Sequence, residues 1–207
     1  MAAKNFRNIF EPFTVKSMTL KNRIVMTPIG TNFAERTGEV SDKLIAYYKQ
    51  HAKGGIGLIT VEGASVASPQ GSLSTNQLRI DHDNYIHGLY KLCEAIHEYG
   101  SKASILLNHG GADSDGASTN IQPVSASDIP SKAGGDIPRP LAIEEIHGIV
   151  QKFADAAKRA VTAGFDAVEI QAGHGYLLNQ FLSPLTMTGQ MSSAVPRKTA
   201  QGSRRLY

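Results

Sequence analysis

Four short segments of this chain hold most of the side chains able to polarise a bond or move a proton: Pro28–Gly30, Glu62–Gly63, Asn108–His109 and Gln171–Tyr176. They offer a carboxyl, two imidazoles, two amides and a phenol. A phenol ordinarily titrates near ~10, so Tyr176 carries a proton at neutral pH. Pro28 fixes the exit from a strand, and Gly30 permits a close backbone approach. The same residues also suit plain roles: a strand-to-loop break at Pro28–Gly30, a turn at Gly63, a structural histidine at His174, and an aromatic filler at Tyr176.

These segments gain meaning from where they fall. "RIVMT" (23–27), "IGLITVEG", "KASILLNH" and "FDAVEIQ" are apolar runs of strand length, and each chemical segment sits at or just after the end of one. Before them, "FTVKSMTL" alternates and is broken at "KSM", which predicts a short hairpin. Between the strands lie helical patterns. "SDKLIAYYKQHAK" has Ser41 as its N-cap, Leu44, Ile45 and Tyr48 on one face, and Gly54–Gly55 as its stop. "DNYIHGLYKLCEAIHEY" (83–99) repeats apolar residues at Ile86, Leu89, Tyr90, Cys93 and Ile96 and ends at Gly100. A helix is predicted from Ile143 to Ala163, stopped by Gly164, and a short one after Gly175. The stretch 110–140 is rich in Gly, Ser, Pro and Asp and reads as a long loop.

Strands buried on both faces and alternating with helices imply a parallel sheet. An open doubly wound sheet and part of a (β/α) barrel both fit this order. No G-x-G-x-x-G follows the first strand, which counts against a dinucleotide fold, and chemistry at the strand ends suits a barrel.

Bulk properties narrow the function classes. At 207 residues, 41% hydrophobic and 19% charged, the chain can bury a core. The formal charge of +3 comes from Arg197, Lys198, Arg204 and Arg205; the remainder has 17 basic against 18 acidic residues. Nothing there suggests a nucleic-acid partner. No run is long and apolar enough for a membrane span, and the first residues lack a signal-peptide pattern. With Cys93 alone, neither an internal disulfide nor an Fe–S cluster is expected in this chain, no metal site is proposed, and a cytoplasmic location is favoured.

From Phe10 to Thr186 the motifs resemble the old yellow enzyme family, nearest to its NADH:flavin oxidoreductase, 2-enoate reductase and 2,4-dienoyl-CoA reductase branch. "IFEPFTVKSMTLKNRIVMTPIG", "GGIGLITVEGASV" and "LLNHGG" match in order, and "RPLAIEEIHGIVQKFADAAKRAVTAGFDAVEIQAGHGYLLNQFLSPLT" is the most specific stretch. The resemblance implies the N-terminal half of a TIM (β/α)8 barrel with an N-terminal β-hairpin, FMN as cofactor, NAD(P)H as hydride donor and a small activated alkene or enoate as substrate. It implies flavin contacts at Pro28, Ile29, Gly30 and Gly63, carbonyl binding by His174 and Gln171, and proton donation by Tyr176. Departures are visible: Gln171 stands where a His or Asn is usual, Leu106 where a Gln reads the flavin pyrimidine, and Ala112 where an Arg is usual. The oligomeric state is left open. The truncated chain is expected to be impaired in that activity; alternatives are an inactive half-barrel remnant and a non-enzymatic α/β small-ligand module.

After Thr186 the pattern stops. Family members continue S-P-L-T-N-x-R-x-D-x-[FY]-G-G-S-x-E-N-R. If one A is restored after the Thr186 codon, synonymous codons for Met187 onward re-divide into N-D-R-T-D-E-F-G-G-S-P-E-N-R-A-R. Two bases of each restored codon are fixed by the observed residue, except at serine and arginine where two pairs are open, so little freedom produced that match. Residues 1–186 are therefore expected to be the partial FMN-binding barrel and 187–207 an out-of-frame, disordered tail, which the nucleotide sequence of the locus decides.

Overall fold

The computed structural model describes residues 7–132 and 135–187. The expected tail, apart from Met187, lies outside the described residues. A short helix α1 (Arg7–Phe10) precedes the antiparallel hairpin β1 (Phe13–Val15) and β2 (Met18–Leu20). Its turn places Lys16 at φ 52. The alternation of "FTVKSMTL" around a two-residue break is what this hairpin needs.

Four parallel strands follow: β3 (Val25–Met26), β4 (Leu58–Ser65) and β5 (Lys102–Asn108), then β8 (Ala167–Ile170) after two short strands described below. Their order in the sheet is β3-β4-β5-β8. Each new strand joins the edge left by the one before, with no reversal of direction across the sheet. A doubly wound sheet would need such a reversal, so the order is that of a barrel wall. β4 and β5 are nearly all buried, as their continuous apolar runs require.

The connecting helices are α2 (Asp42–Lys53), α3 (Ile86–His97, entered through a 3-10 turn at Asp83–Tyr85) and α5 (Ile143–Thr162). The Ser41 side chain accepts from the Leu44 N–H at 3.0 Å, the expected N-cap, and Gly55 at φ 94 ends the α2 segment. Leu44, Tyr48 and Ala52 form the buried stripe of α2. In α3 the stripe is Leu89, Leu92, Cys93 and Ile96. Tyr90, expected on that stripe, is 47% exposed. The apolar arc is centred on the 89, 92, 93, 96 row, and at 100° per residue position 90 falls at its margin. α5 starts without a side-chain cap from Ala142; instead Glu145 turns back to accept the Ala142 N–H at 2.8 Å and a two-point contact from Arg139. The Arg139 guanidinium, then that N–H, hold the Glu145 carboxyl down at about 2. No helix among the described residues is long and apolar enough to cross a membrane.

The loop expected at 110–140 carries more order than its composition suggests. It contains α4 (Gly116–Thr119) and a parallel pairing of β6 (Val124–Ser125) with β7 (Arg139–Pro140). Val124 and Leu141 pack with Ile149 and Leu177 in a small second core. Leu177 belongs to α6 (Leu177–Leu182), the short helix expected after Gly175.

Among the described residues β3 and β8, the outer strands of the sheet, each pair on one side only, and Val25, Val168 and Ile170 are exposed. The N-terminal end of β8 is held by Asp166. Its carboxyl accepts from Lys102 Nζ at 2.7 Å, His97 Nε2 at 2.7 Å and the Ala103 N–H at 2.9 Å. Burial alone would raise this carboxyl; the donations from Lys102, the Ala103 N–H and His97 outweigh it and leave it below the ordinary value. A depressed folded-state pKa stabilises above the unfolded value and is lost as pH falls through the folded one. Asp166→Asn should therefore lower the melting temperature at pH 7, by roughly a few degrees. The gap to the parent should close as pH falls below about 4. Thermal melts across that range check it; a gap independent of pH would contradict the ion-pair account.

Candidate active site

A cavity of about 420 Å³ opens at the C-terminal ends of the four parallel strands. Every strand contributes to it directly or through the residues that follow. Thr27, Pro28 and Gly30 come from the exit of β3, Glu62 and Gly63 from β4, and Leu106 and Asn108 from β5. Glu169 on β8 adds a second carboxyl, and Gln171, His174 and Tyr176 follow β8. This is the face of a barrel where catalysis is placed. Pro28, Gly30, Gly63, Gln171, His174 and Tyr176, all expected from the sequence, line one space. Ile29 does not: its side chain is 56% exposed and lies outside the lining.

Glu62 and Gly63 reach the cavity together because β4 is irregular there. Val61 pairs with Ile105 and Ala64 with Leu107, so β4 carries one more residue than β5 over this step. Strict alternation would put residues 62 and 63 on opposite faces; a bulge re-aims them. Glu62 is 2% exposed. Its carboxylate accepts from Thr31 Oγ1 at 2.5 Å and the Thr31 N–H at 3.3 Å, with the Tyr48 hydroxyl at 3.4 Å. The Glu62 N–H in turn donates to the Tyr48 oxygen at 2.8 Å. Burial pushes the Glu62 carboxyl up, and the donors from Thr31 and Tyr48 only partly offset it. Burial and then the Glu62 charge push the Tyr48 phenol far above its ordinary value.

Opposite this knot, β8 runs into "QAGHGY". His174 has φ 60 and Gly175 φ 83, two consecutive left-handed residues. For a histidine that conformation costs roughly 1–2 kcal/mol, and such strain gathers at functional sites. Gln171 Nε2 lies 2.8 Å from His174 Nδ1. An amide nitrogen only donates, so Nδ1 is the acceptor and the neutral ring carries its proton on Nε2. Gln171 thus sets the tautomer that leaves His174 with a free donor. Tyr176 stands edge-on to the imidazole, with ring centroids 6.4 Å apart. Burial, then the nearby Asp113, raise its phenol above the ordinary value, so it is protonated at neutral pH.

Gln180 holds this turn in place. It is 3% exposed, its oxygen accepts from Ser125 Oγ at 2.8 Å and the Ala112 N–H at 3.1 Å, and its nitrogen donates to Gly175 O at 2.6 Å. A Cβ at Gly111 would lie 2.2 Å from its oxygen. His109 is fully buried, accepts the Gly111 N–H on Nδ1 at 3.1 Å, and is pushed down to about 4 by burial and then by Lys152. It is not part of the cavity lining.

Sequence reasoning did not single out Asn32, Leu73, Ser74, Gln77 or Glu169, which also line the cavity. An acid inside the apolar run "AVEI" was the available signal for Glu169. Residues 73–77 lack any periodicity that would bring them here. They are tied over the cavity by Ser74 Oγ donating to Asn32 Oδ1 at 2.7 Å and Gln77 Nε2 donating to Gly63 O at 2.8 Å.

The wall fits a flat ring. A Cβ at Gly30 would meet nothing within 4 Å, and one at Gly63 would stand in ordinary contact with Asn108 Cβ at 3.4 Å, so each glycine leaves a methyl-sized recess that a planar ligand can use. The ionisable lining residues include two carboxyls, Glu62 and Glu169, which suit a neutral or cationic ligand better than an anion.

Residues 8–190 match the model of the NADH:flavin oxidoreductase / NADH oxidase family. An NADH oxidase of Thermoanaerobacter brockii is 44% identical over 183 residues, which cover 88% of this chain and 28% of that protein. An NADPH dehydrogenase of Clostridium acetobutylicum is 42% identical over 178 residues, covering 86% of this chain and 52% of that one. Morphinone reductase in complex with tetrahydroNAD superposes with a TM-score of 0.83 at 27% identity, over 95% of this chain and 57% of the other. The old yellow enzyme homologue from Zymomonas mobilis gives 0.80 at 27% identity, over 88% and 53%. The chain thus spans about half the length of most of these relatives, and its four-stranded wall is the N-terminal half of their barrel.

Tyr48→Phe removes the acceptor of the buried Glu62 N–H. It should cost about 1–3 kcal/mol of stability, measured by denaturant unfolding. A loss no larger than that of the exposed control Tyr90→Phe would contradict the knot.

Proposed function

The chain belongs to the NADH:flavin oxidoreductase / NADH oxidase family, and on that footing we propose that it forms the ring-binding and substrate-activating wall of an old yellow enzyme-type reductase, which uses NAD(P)H to reduce an activated alkene. The observation that carries this reading is the meeting of Gln171, His174 and Tyr176 with Pro28, Gly30 and Gly63 around one cavity. Bound FMN would supply the hydride chemistry between nicotinamide and alkene. Pro28, Gly30 and Gly63 hold the ring system by close backbone approach. His174, with its proton on Nε2, donates to the carbonyl oxygen of the substrate and favours the charge that develops there. Gln171 acts through His174, fixing its tautomer with a hydrogen bond already made; its second N–H is available to the same oxygen. Tyr176 delivers its proton to the α-carbon. Glu62 anchors Thr31, and with it the loop that follows Pro28 and Gly30. The buried single cysteine, Cys93, supports a cytoplasmic setting.

The two halves of the reaction separate the roles. With FMN and NADPH supplied anaerobically, Tyr176→Phe should leave flavin reduction within a few-fold of the parent. Reoxidation by an enone should slow by about 10²-fold or more. Stopped-flow absorbance of the flavin reads both. An equal loss in the two steps, or none in either, would remove Tyr176 as the proton donor.

A further inference from the structure

We infer that Asn108 is a recognition group of this cavity and that it takes an imide or carboxamide edge, a carbonyl oxygen beside an N–H. Asn108 ends β5, is 1% exposed and lines the cavity. Neither its Oδ1 nor its Nδ2 has a hydrogen-bond partner among the described residues. Buried amides are nearly always paired, and an unpaired one destabilises the fold. A position that needed only filling would carry an apolar residue, as Leu106 and Leu107 beside it do. Strand alternation puts residues 106 and 108 on the same face, and both line the cavity. That face is therefore apolar at its first step and offers an amide at its second.

The other amides of the cavity are engaged. Gln77 is held between Gly63 O and the Leu73 N–H, Gln171 donates to His174, and Asn32 accepts from Ser74 Oγ. Asn108 is the one of these four with both amide atoms buried and unpaired. An amide places one acceptor beside donors. Its complement is a donor beside an acceptor: an imide, a lactam or a primary carboxamide. A carboxylate is a poorer partner, because it can only accept and would share the cavity with Glu62 and Glu169. Two ligands carry the required edge. One is the pyrimidine ring of a flavin, in which case the inference rests on the reading under Proposed function. The other is a carboxamide on a second ligand, nicotinamide being the simplest, which does not require that reading.

The test uses the 207-residue chain and its Asn108→Leu and Asn108→Ala variants. FMN and N3-methyl-FMN are titrated by flavin fluorescence, and nicotinamide and N,N-dimethylnicotinamide by calorimetry. The expected result is that both variants bind the unmethylated ligand at least about tenfold more weakly. The methylated analogue should bind the parent weakly and be indifferent to either substitution. If FMN shows this pattern, the flavin is the source of the edge; if nicotinamide alone shows it, the second ligand is. FMN bound equally by parent and variants, with no discrimination of nicotinamide, overturns the role of Asn108 and leaves the flavin reading standing. Nicotinamide discriminated without any FMN binding supports Asn108 and counts against the flavin reading. Binding of neither probe by the parent overturns both. Should Asn108→Leu fail to melt cooperatively, Asn108→Ala, which adds no bulk, decides.

Discussion

A carboxyl group left with 2% exposure must be satisfied by protein, and the way Glu62 is satisfied organises one side of this molecule. Its partners come from two other elements: Thr31 from the segment after β3, and Tyr48 from the inner face of α2. The exchange is reciprocal, since the Glu62 N–H donates to the Tyr48 oxygen. The β4 bulge that turns Glu62 toward these partners also turns Gly63 toward the cavity. One irregular step in a parallel sheet therefore fixes the exit of β3, seats α2 and opens a recess for a planar ligand. Displacing the Glu62 carboxyl would leave the Thr31 segment, and with it the Pro28–Gly30 wall, without its anchor.

The opposite side is organised by strain rather than burial. His174 and Gly175 are both left-handed, and the turn they form survives because Gln180 and Asn179 hold Gly175 by its carbonyl and its N–H. Gln180 also grips Ser125 and the Ala112 N–H, so the long segment after β5 and the turn after β8 are locked to each other. The two polar groups of this turn, Gln171 and His174, differ in kind. His174 presents a ring whose tautomer is set; Gln171 sets it. The Gln171–His174 pair is pre-oriented before any ligand arrives, and that lowers the ordering cost of binding.

Much of this was legible in the sequence, for identifiable reasons. The N-cap at Ser41, the stops at Gly54–Gly55, Gly100 and Gly164, and the apolar strands are local signals with local causes, and they stand in the fold as read. The strand-end clusters were legible because a parallel α/β wall brings all its strand ends to one face. What was not legible depends on contacts distant in sequence. Asn32, Ser74 and Gln77 enter the cavity through side-chain bonds across 14 to 42 residues. The bulge at Glu62–Gly63 is a matter of register between two strands, which no single strand records. Tyr90 fits an apolar period on paper, yet the buried arc of α3 is centred on Leu89, Leu92, Cys93 and Ile96 and leaves it at the margin. The unpaired amide of Asn108 could not be seen at all until its neighbours were in place.

The central claim is that the recess beside Gly63 holds the ring of a flavin. Gly63→Leu fills that recess; its Cβ meets its neighbours at ordinary contact distance, and a cooperative melt shows whether the rest of the fold is kept. Equilibrium titration of FMN into the purified chain, followed by flavin fluorescence, is the most direct test. The account predicts saturable quenching by the parent chain and its loss, by at least about tenfold in affinity, in a Gly63→Leu variant that still melts cooperatively. Saturable binding that Gly63→Leu leaves unchanged, or no saturable binding by the parent, would contradict it.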